Sequence, residues 1–366
     1  MPWVFMHQGI KYMNELLRLP SLIDMHVHFR TPGQEYKGNI ESESCAALAG
    51  GNTTVMDMPN NIPLITTLAH VKEKKRLANQ QTHCDIGFYL GTLGDEDQVF
   101  SPQLLDEVFG LKIYMNSTTG GYIVNDPLKI ESIFKRWESD KPILVHAEGN
   151  TIAFALQMAK KYHRHIHVCH VSLAQEVKEI AQSKNKRGEV VSAEVTPHHL
   201  FESNIADEDD DHRMRPPLSR LLDMQMLWQG ILDGTIDCIA TDHAPHTLAE
   251  KISETPPHGV TGLETTLPLL LMAESAGYIT LQRIVEMTHD APLRILNVEE
   301  QYNTYIEVER NIPWEIQGTH MHTKAKSTPF EGRTVFDRVI KTVLRGIVVF
   351  ENGRILNQPG KGQVLS

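Results

Sequence analysis

Short apolar runs alternate along this chain with longer stretches whose apolar residues fall three or four apart. Eight runs read as strands: LIDMHVH (22–28), TTVMDM (53–58), CDIGFYLG (84–91), GLKIYM (110–115), PILVHAE (142–148), IHVCHVS (166–172), VVSAEVT (190–196) and IDCIATDHA (236–244). Between them ESESCAALAGG (41–51) is helix-like with a Gly stop, and TTLAHVKEKKRLANQ (66–80) and LAQEVKEIAQSKNKRG (173–188) carry helical spacing. Strand followed by helix, eight times over about 230 residues, predicts an α/β fold of the (β/α)8 TIM-barrel type. A doubly wound open sheet is the second choice, weakened because no Gly-rich phosphate loop follows the first strand. KTVLRGIVVFENGRIL (341–356) breaks the rhythm: two β-rich runs flank Glu-Asn-Gly, a hairpin signal. The predicted division is a barrel over 21–304 and a small β appendage from 305–366, joined by 1–20.

Composition narrows the function. A chain of 366 residues, 41% hydrophobic, can bury a large core. A net charge of -11 without a basic stripe argues against nucleic acid. The four cysteines, Cys45, Cys84, Cys169 and Cys238, form no CxxC pair, so neither a disulfide framework nor a cysteine zinc knuckle is expected. No signal-peptide pattern or membrane-length apolar run is present, and the expectation is a soluble cytoplasmic protein. The acidic stretch NIADEDDDHR (204–213) reads as a solvated loop. The 19 histidines are the unusual feature, and several fall at strand ends.

The run LIDMHVHFR places Asp24, His26, His28 and Arg30 on one face under strict alternation. Four polar groups on one buried face are costly unless they serve a site. Two histidines spaced by one residue on a strand can hold one metal ion. His146 and His170, ending later strands, can hold a second. Asp242, in TDHAPH, can ligate and act as a base. Barrel active sites gather at the C-terminal ends of the strands, where these residues and Lys112 fall. A buried lysine cation beside two divalent metals is unfavourable. Its carbamate, formed with carbon dioxide, is an anion with two oxygens that can bridge the pair. Water between two such cations loses a proton near neutral pH. These residues therefore predict metal-assisted hydrolysis of a C–N bond, or its reverse, with Asp242 carrying the proton.

HxH on the first strand, Lys on the fourth, His on the fifth and sixth and Asp on the eighth resemble the amidohydrolase superfamily. Within it, LIDMHVHFRTPG, MPNN, GLKIYM, VHAE, CHVS, EVTPHHLF and TDHAPH resemble the dihydroorotases. RLPSLIDMHVH, GLETTLPLLL and STPFEGRTV are most similar to the dihydroorotase portion of the animal multifunctional pyrimidine enzyme. The resemblance runs from about residue 18 to the end. It implies two Zn2+ ions, one on His26, His28 and Asp242, the other on His146 and His170, bridged by carboxylated Lys112; these ligands also suit cobalt or manganese. It implies that Arg30 and Asn60 grip a substrate carboxylate, with Arg215 and His246 near its other polar atoms. A loop, NSTTGGYIV (116–124), would close with Thr118 and Thr119 over the substrate, hinged at Gly120 and Gly121. Cys169 and Glu194 match positions that bind a further zinc in some relatives, but alternation turns Cys169 away from His170 and predicts a packed core thiol. The sequence departs from the family pattern where Ser21 replaces a glycine and where Thr119 replaces the animal aromatic.

The activity implied is reversible cyclisation of N-carbamoyl-L-aspartate to L-dihydroorotate, in pyrimidine synthesis, by a cytoplasmic homodimer that can associate with aspartate transcarbamoylase. The nearest rivals are dihydropyrimidinase, hydantoinase and allantoinase, which share the metal set but act on rings without a carboxylate. Arg30 argues against them, because an unpaired buried guanidinium needs an anion. A non-catalytic scaffold for aspartate transcarbamoylase is the remaining alternative, and retention of all six metal-binding positions argues against it.

Overall fold

The computed structural model describes residues 15–118, 120–184, 190–203 and 214–366, and all that follows concerns these residues. Thr119 of the expected closing loop and the acidic stretch 204–213 lie outside them.

The first part alternates strands and helices: β1 (Glu15–Pro20), β2 (Leu22–Val27), α1 (Ile40–Ala49), β3 (Asn52–Asp57), α2 (Leu68–Gln81), β4 (Asp85–Phe88), β5 (Leu90–Gly91), α3 (Pro102–Leu105), β6 (Leu111–Tyr114) and α4 (Pro127–Arg136). Then come β7 (Ile143–His146), α5 (Asn150–Tyr162), β8 (Ile166–Val168), α6 (Ala174–Lys184), β9 (Val191–Val195), α7 (Pro197–Phe201), α8 (Leu221–Asp233), β10 (Cys238–Ile239) and α9 (Leu248–Lys251). Helices α10 (Thr266–Ser275), α11 (Leu281–Val285) and α12 (Ala291–Leu296) follow, the last two joined by a π turn at Glu286–Asp290.

Each of the eight apolar runs contains strand. The run 84–91 is split at Tyr89 into β4 and β5, and the run 236–244 is strand only at Cys238–Ile239. Local chemistry sets the helix starts. Asn39 accepts from the Ser42 N–H at 2.7 Å, Thr67 from the His70 N–H at 3.2 Å and Asp126 from the Leu128 N–H at 2.9 Å. Helix α4 buries Ile130, Ile133 and Phe134, the three- and four-residue spacing of a helix face.

Strands β2, β3 and β4 pair in parallel, as do β5 to β10 in chain order. β2, β3, β4, β6 and β7 are buried along their whole length, as parallel strands covered by helices should be. The two sheets meet twice. β4 runs into β5 through Tyr89, and a parallel bridge joins Val27 to His243, where the His28 N–H donates to the His243 carbonyl at 2.8 Å.

The C-terminal segment forms β11 (Tyr305–Arg310), β12 (Trp314–Glu315), β13 (Thr334–Val335), β14 (Arg338–Leu344), β15 (Ile347–Glu351) and β16 (Arg354–Ile355). β1 pairs antiparallel with β11, in a five-stranded sheet ordered β1-β11-β14-β15-β16. The expected single hairpin is in fact two. Arg345-Gly346 and Asn352-Gly353 each supply two consecutive positive φ angles, the twist that two-residue hairpin loops favour. This sheet packs on helix α1, where Thr342 Oγ1 donates to the Leu48 carbonyl at 2.7 Å. Gly51, at φ +87°, lies under Ile306 and Val339, which would crowd any Cβ there. The tail returns to β4, where Gln363 and Leu365 each hydrogen bond the Ile86 backbone at 2.9 Å. Among the described residues no helix is long and apolar enough to cross a membrane.

Candidate metal centre and substrate cleft

A cleft opens at the C-terminal ends of the parallel strands. It is lined by His26, His28, Arg30, Asn60, Lys112, Thr118, His146, His170, Arg215 and Asp242, all expected at the sequence level. It is also lined by Tyr114 and His258, which were not. No motif singles out His258. Tyr114 carried a signal that went unread, since it stands two residues past Lys112 and shares its face.

Six candidate ligands converge from the ends of five strands. His28 Nε2 lies 2.9 Å and His26 Nε2 3.3 Å from Asp242 Oδ1. Ligand atoms of His26, His28 and Asp242 all fall within 4.8 Å of one another. His146 Nδ1 is 2.8 Å from His170 Nε2. The His26 and His170 rings stand 5.5 Å apart, so the two groups form one cluster. Lys112, fully buried, points its amine at the same cluster and hydrogen bonds Cys169 Sγ at 3.0 Å.

Strict alternation does not survive at the strand ends. β2 stops at Val27 and β8 at Val168, and Arg30, His170 and Asp242 all adopt left-handed backbone, at φ 66°, 35° and 50°. Cys169 therefore does not turn away from the site. It stands with His26 and Glu194 in a second group within 4.8 Å, against the expectation of a thiol facing only the core. Asp24 is also not in the cleft. Its carboxylate accepts from the His26 N–H at 3.0 Å and the Thr241 N–H at 3.2 Å, which ties the first strand to the eighth.

Supporting contacts orient the ligands. His26 Nδ1 hydrogen bonds Glu194, and Glu194 Oε2 also meets His167 Nε2 at 3.0 Å. His28 Nδ1 bonds Asn60 Oδ1 at 2.6 Å. Carboxylates and amides behind ligating histidines fix the tautomer and leave the other ring nitrogen for a metal. Asn60 thus spends its oxygen on His28 and keeps its amide nitrogen for a ligand. His246 stands behind Arg30 rather than on the cleft wall: Arg30 Nη2 lies 3.0 Å from its Nε2, and Lys37 Nζ donates to its Nδ1 at 3.2 Å.

The electrostatics favour a cation. Burial opposes charge on Asp242, yet His26 and His28 hold its carboxyl well below the usual range. Burial and Lys112 oppose charge on His26, but Glu194 and Asp242 raise it to about 10. Burial holds His28 down near 4, and burial with the facing His146 and Lys112 holds His170 well below its ordinary value. Neutral imidazole is the ligating form. His170 Nδ1 is buried without a hydrogen-bond partner among the described residues. The carboxylates of Asp242 and Glu194, neutral imidazoles at His28 and His170 and an orphaned ring nitrogen fit a divalent metal centre.

A family model described as "Amidohydrolase family" matches residues 17–302. The multifunctional protein CAD of Squalus acanthias is 41% identical over 365 residues, a match that covers 99% of this chain but only 16% of that protein's length. The dihydroorotase of Pyrococcus furiosus is 35% identical over 367 residues, covering 93% of this chain and 83% of that one. Among solved structures, the L-hydantoinase of Arthrobacter aurescens superposes with a TM-score of 0.84 at 25% identity, covering 95% of this chain and 88% of that one.

Proposed function

The chain belongs to the amidohydrolase family, and from that premise we propose that it is a dihydroorotase, interconverting N-carbamoyl-L-aspartate and L-dihydroorotate. The parallel strands are read as one closed eight-stranded barrel, a reading supported by the Val27–His243 bridge. Residues 21–304 are taken as the catalytic unit, with 1–20 and 305–366 as its appendage. Two zinc ions would be held by His26, His28 and Asp242 on one side and by His146 and His170 on the other. Lys112, carboxylated by carbon dioxide with loss of a proton, would bridge them. When bound, such a pair supplies Lewis acidity toward the reacting carbonyl and lowers the pKa of water at the site.

The remaining work falls to the chain itself. Arg30 and the Asn60 amide nitrogen hold the substrate carboxylate, and Arg215, also on the cleft wall, meets its other polar atoms. In ring opening, water adds to the ring carbonyl, the C–N bond breaks, and Asp242 passes the water's proton to the departing nitrogen. Cyclisation runs these steps backward. Thr118, on the cleft wall, is suited to cover the bound ring with Thr119. The proposal extends to association with aspartate transcarbamoylase, in line with the likeness to a multifunctional relative, and to a homodimer, the expectation for the family.

One observation carries the substrate assignment. Arg30 is buried, and its guanidinium meets only the Pro245 carbonyl at 3.2 Å and His246, with no described carboxylate at ion-pair distance. A cation so placed calls for an anionic ligand. The test compares wild type with Arg30→Met on L-dihydroorotate and on dihydrouracil, which lacks the carboxylate, with zinc and bicarbonate supplied. Expected is selective opening of dihydroorotate, with kcat/KM reduced about 100-fold or more in the variant. Wild-type preference for dihydrouracil would move the assignment to the hydantoinase-like enzymes. Activity on neither would leave the scaffold.

A further inference from the structure

Tyr114 is fully engaged by its ring and unengaged at its hydroxyl. The ring stands 5.3 Å from Lys112 Nζ and 6.2 Å from the His146 ring, and the Tyr114 carbonyl accepts the Val124 N–H at 2.7 Å. The side chain lines the cleft and is 2% exposed. Its hydroxyl is buried without a hydrogen-bond partner among the described residues. Buried polar atoms in folded proteins are nearly always partnered, and an exception on a cleft wall marks a place kept for a ligand atom.

Position indicates which atom. Lys112 and Tyr114 are separated by one residue on β6, as His28 and Arg30 are separated by one after β2. In each pair the first member belongs to the metal cluster; on β6 the second, Tyr114, lies one step, roughly 6.6 Å, nearer the strand's C-terminal mouth. Arg30 turns into the same cleft past the end of β2, and Tyr114 and Arg30 each contribute to the other's electrostatic surroundings. A tyrosine phenol is protonated at neutral pH, so it is a neutral donor beside the Arg30 cation.

We propose that the Tyr114 hydroxyl is a further donor of the carboxylate clamp, giving its hydrogen bond to the anion that Arg30 pairs with. Tyr114 is then a specificity residue that favours carboxylate-bearing rings over neutral ones. This rests on the dihydroorotase reading for the identity of the anion, but not for the presence of the site.

Tyr114→Phe removes one oxygen and keeps the ring packing. Calorimetry on the metal-loaded protein would measure the dissociation constants of orotate and of its methyl ester, a planar ring with and without the charged carboxylate. Steady-state kinetics on L-dihydroorotate would run alongside. Expected is about tenfold weaker orotate binding, an unchanged constant for the ester, a matching rise in KM, and kcat within about threefold of wild type. Arg30→Met/Tyr114→Phe should lose less than the two single losses combined, because both donors serve one group. Equal weakening of acid and ester would overturn the proposal. So would a fall in kcat with unchanged orotate binding, which would assign the hydroxyl to the reacting carbonyl. Wild type that binds orotate through Tyr114 yet fails to open dihydroorotate would sink the activity and leave this inference standing. Wild-type turnover with a silent Tyr114→Phe would do the reverse.

Discussion

Three residues at the strand ends combine a proposed role with backbone constraint. Arg30, His170 and Asp242 lie in the left-handed region, which costs non-glycine residues energy unless their surroundings impose it. Each turn redirects a side chain into the cleft. For Asp242 the consequence is a carboxylate within 3.3 Å of two imidazoles, held anionic by them despite burial. Asp242→Asn keeps the shape and removes the proposed proton carrier. It should lower kcat by about 10²- to 10⁴-fold, the usual worth of general acid–base catalysis. Metal content measured alongside separates the lost proton transfer from a lost ligand. A kcat within tenfold of wild type at full metal loading would remove Asp242 from the proton path.

At the scale of elements, one side chain on α1 joins the parallel strands to the C-terminal sheet's connecting loop. Glu43, fully buried, accepts from His243 Nε2 at 2.8 Å, Thr323 Oγ1 at 2.6 Å and the Lys324 N–H at 3.1 Å. His243 directly follows Asp242 and bridges Val27, so Glu43 braces the strand end that carries the proposed base. Glu43→Ala strands these partners and should cost about 3–5 kcal/mol in urea denaturation, with m unchanged. The pH dependence has a fixed sign. Burial works against the carboxylate, but His243 and the hydroxyls of Thr323 and Ser42 hold its pKa below the ordinary value of 4.5. A depressed folded-state pKa contributes stability that is complete above about pH 5 and is lost as pH falls through the folded value. The wild-type loss of stability below pH 4.5 should therefore be steeper than that of Glu43→Gln. Parallel acid profiles would show that Glu43 is not linked to folding.

Over the whole molecule, the candidate centre joins the two ends of the parallel strand series. His28 and Asp242 come from the first and the eighth of the parallel strand regions, 214 residues apart, yet their side chains lie 2.9 Å apart. Lys112, His146 and His170 come from strands between them. A cation bound there draws together segments whose backbone contact at the seam is the Val27–His243 bridge and its neighbouring hydrogen bonds. Removing it with a chelator should abolish ring opening and lower the melting temperature by several degrees. Saturation about a thousandfold above the dissociation constant is worth about 4 kcal/mol. Re-addition of zinc with bicarbonate should restore both. An unchanged melting temperature after verified metal removal would exclude the closure role.

Patterning along the chain determined which segments are strands and helices, because buried strands need continuous apolar runs and helices need a three- to four-residue period. It also determined the candidate ligands, since polar residues at the ends of such runs are costly without a purpose. The C-terminal hairpin was legible from Glu-Asn-Gly, whereas the second turn, Arg345-Gly346, was not, because arginine carries no turn preference of its own. The orientations within the site were decided only by the tertiary structure. The Cys169 thiol, the Asp24 carboxylate, Asn60 behind His28 and His246 behind Arg30 all depend on where a strand stops and turns. Those turns are set by contacts between strands far apart in sequence, which a local period of two does not encode.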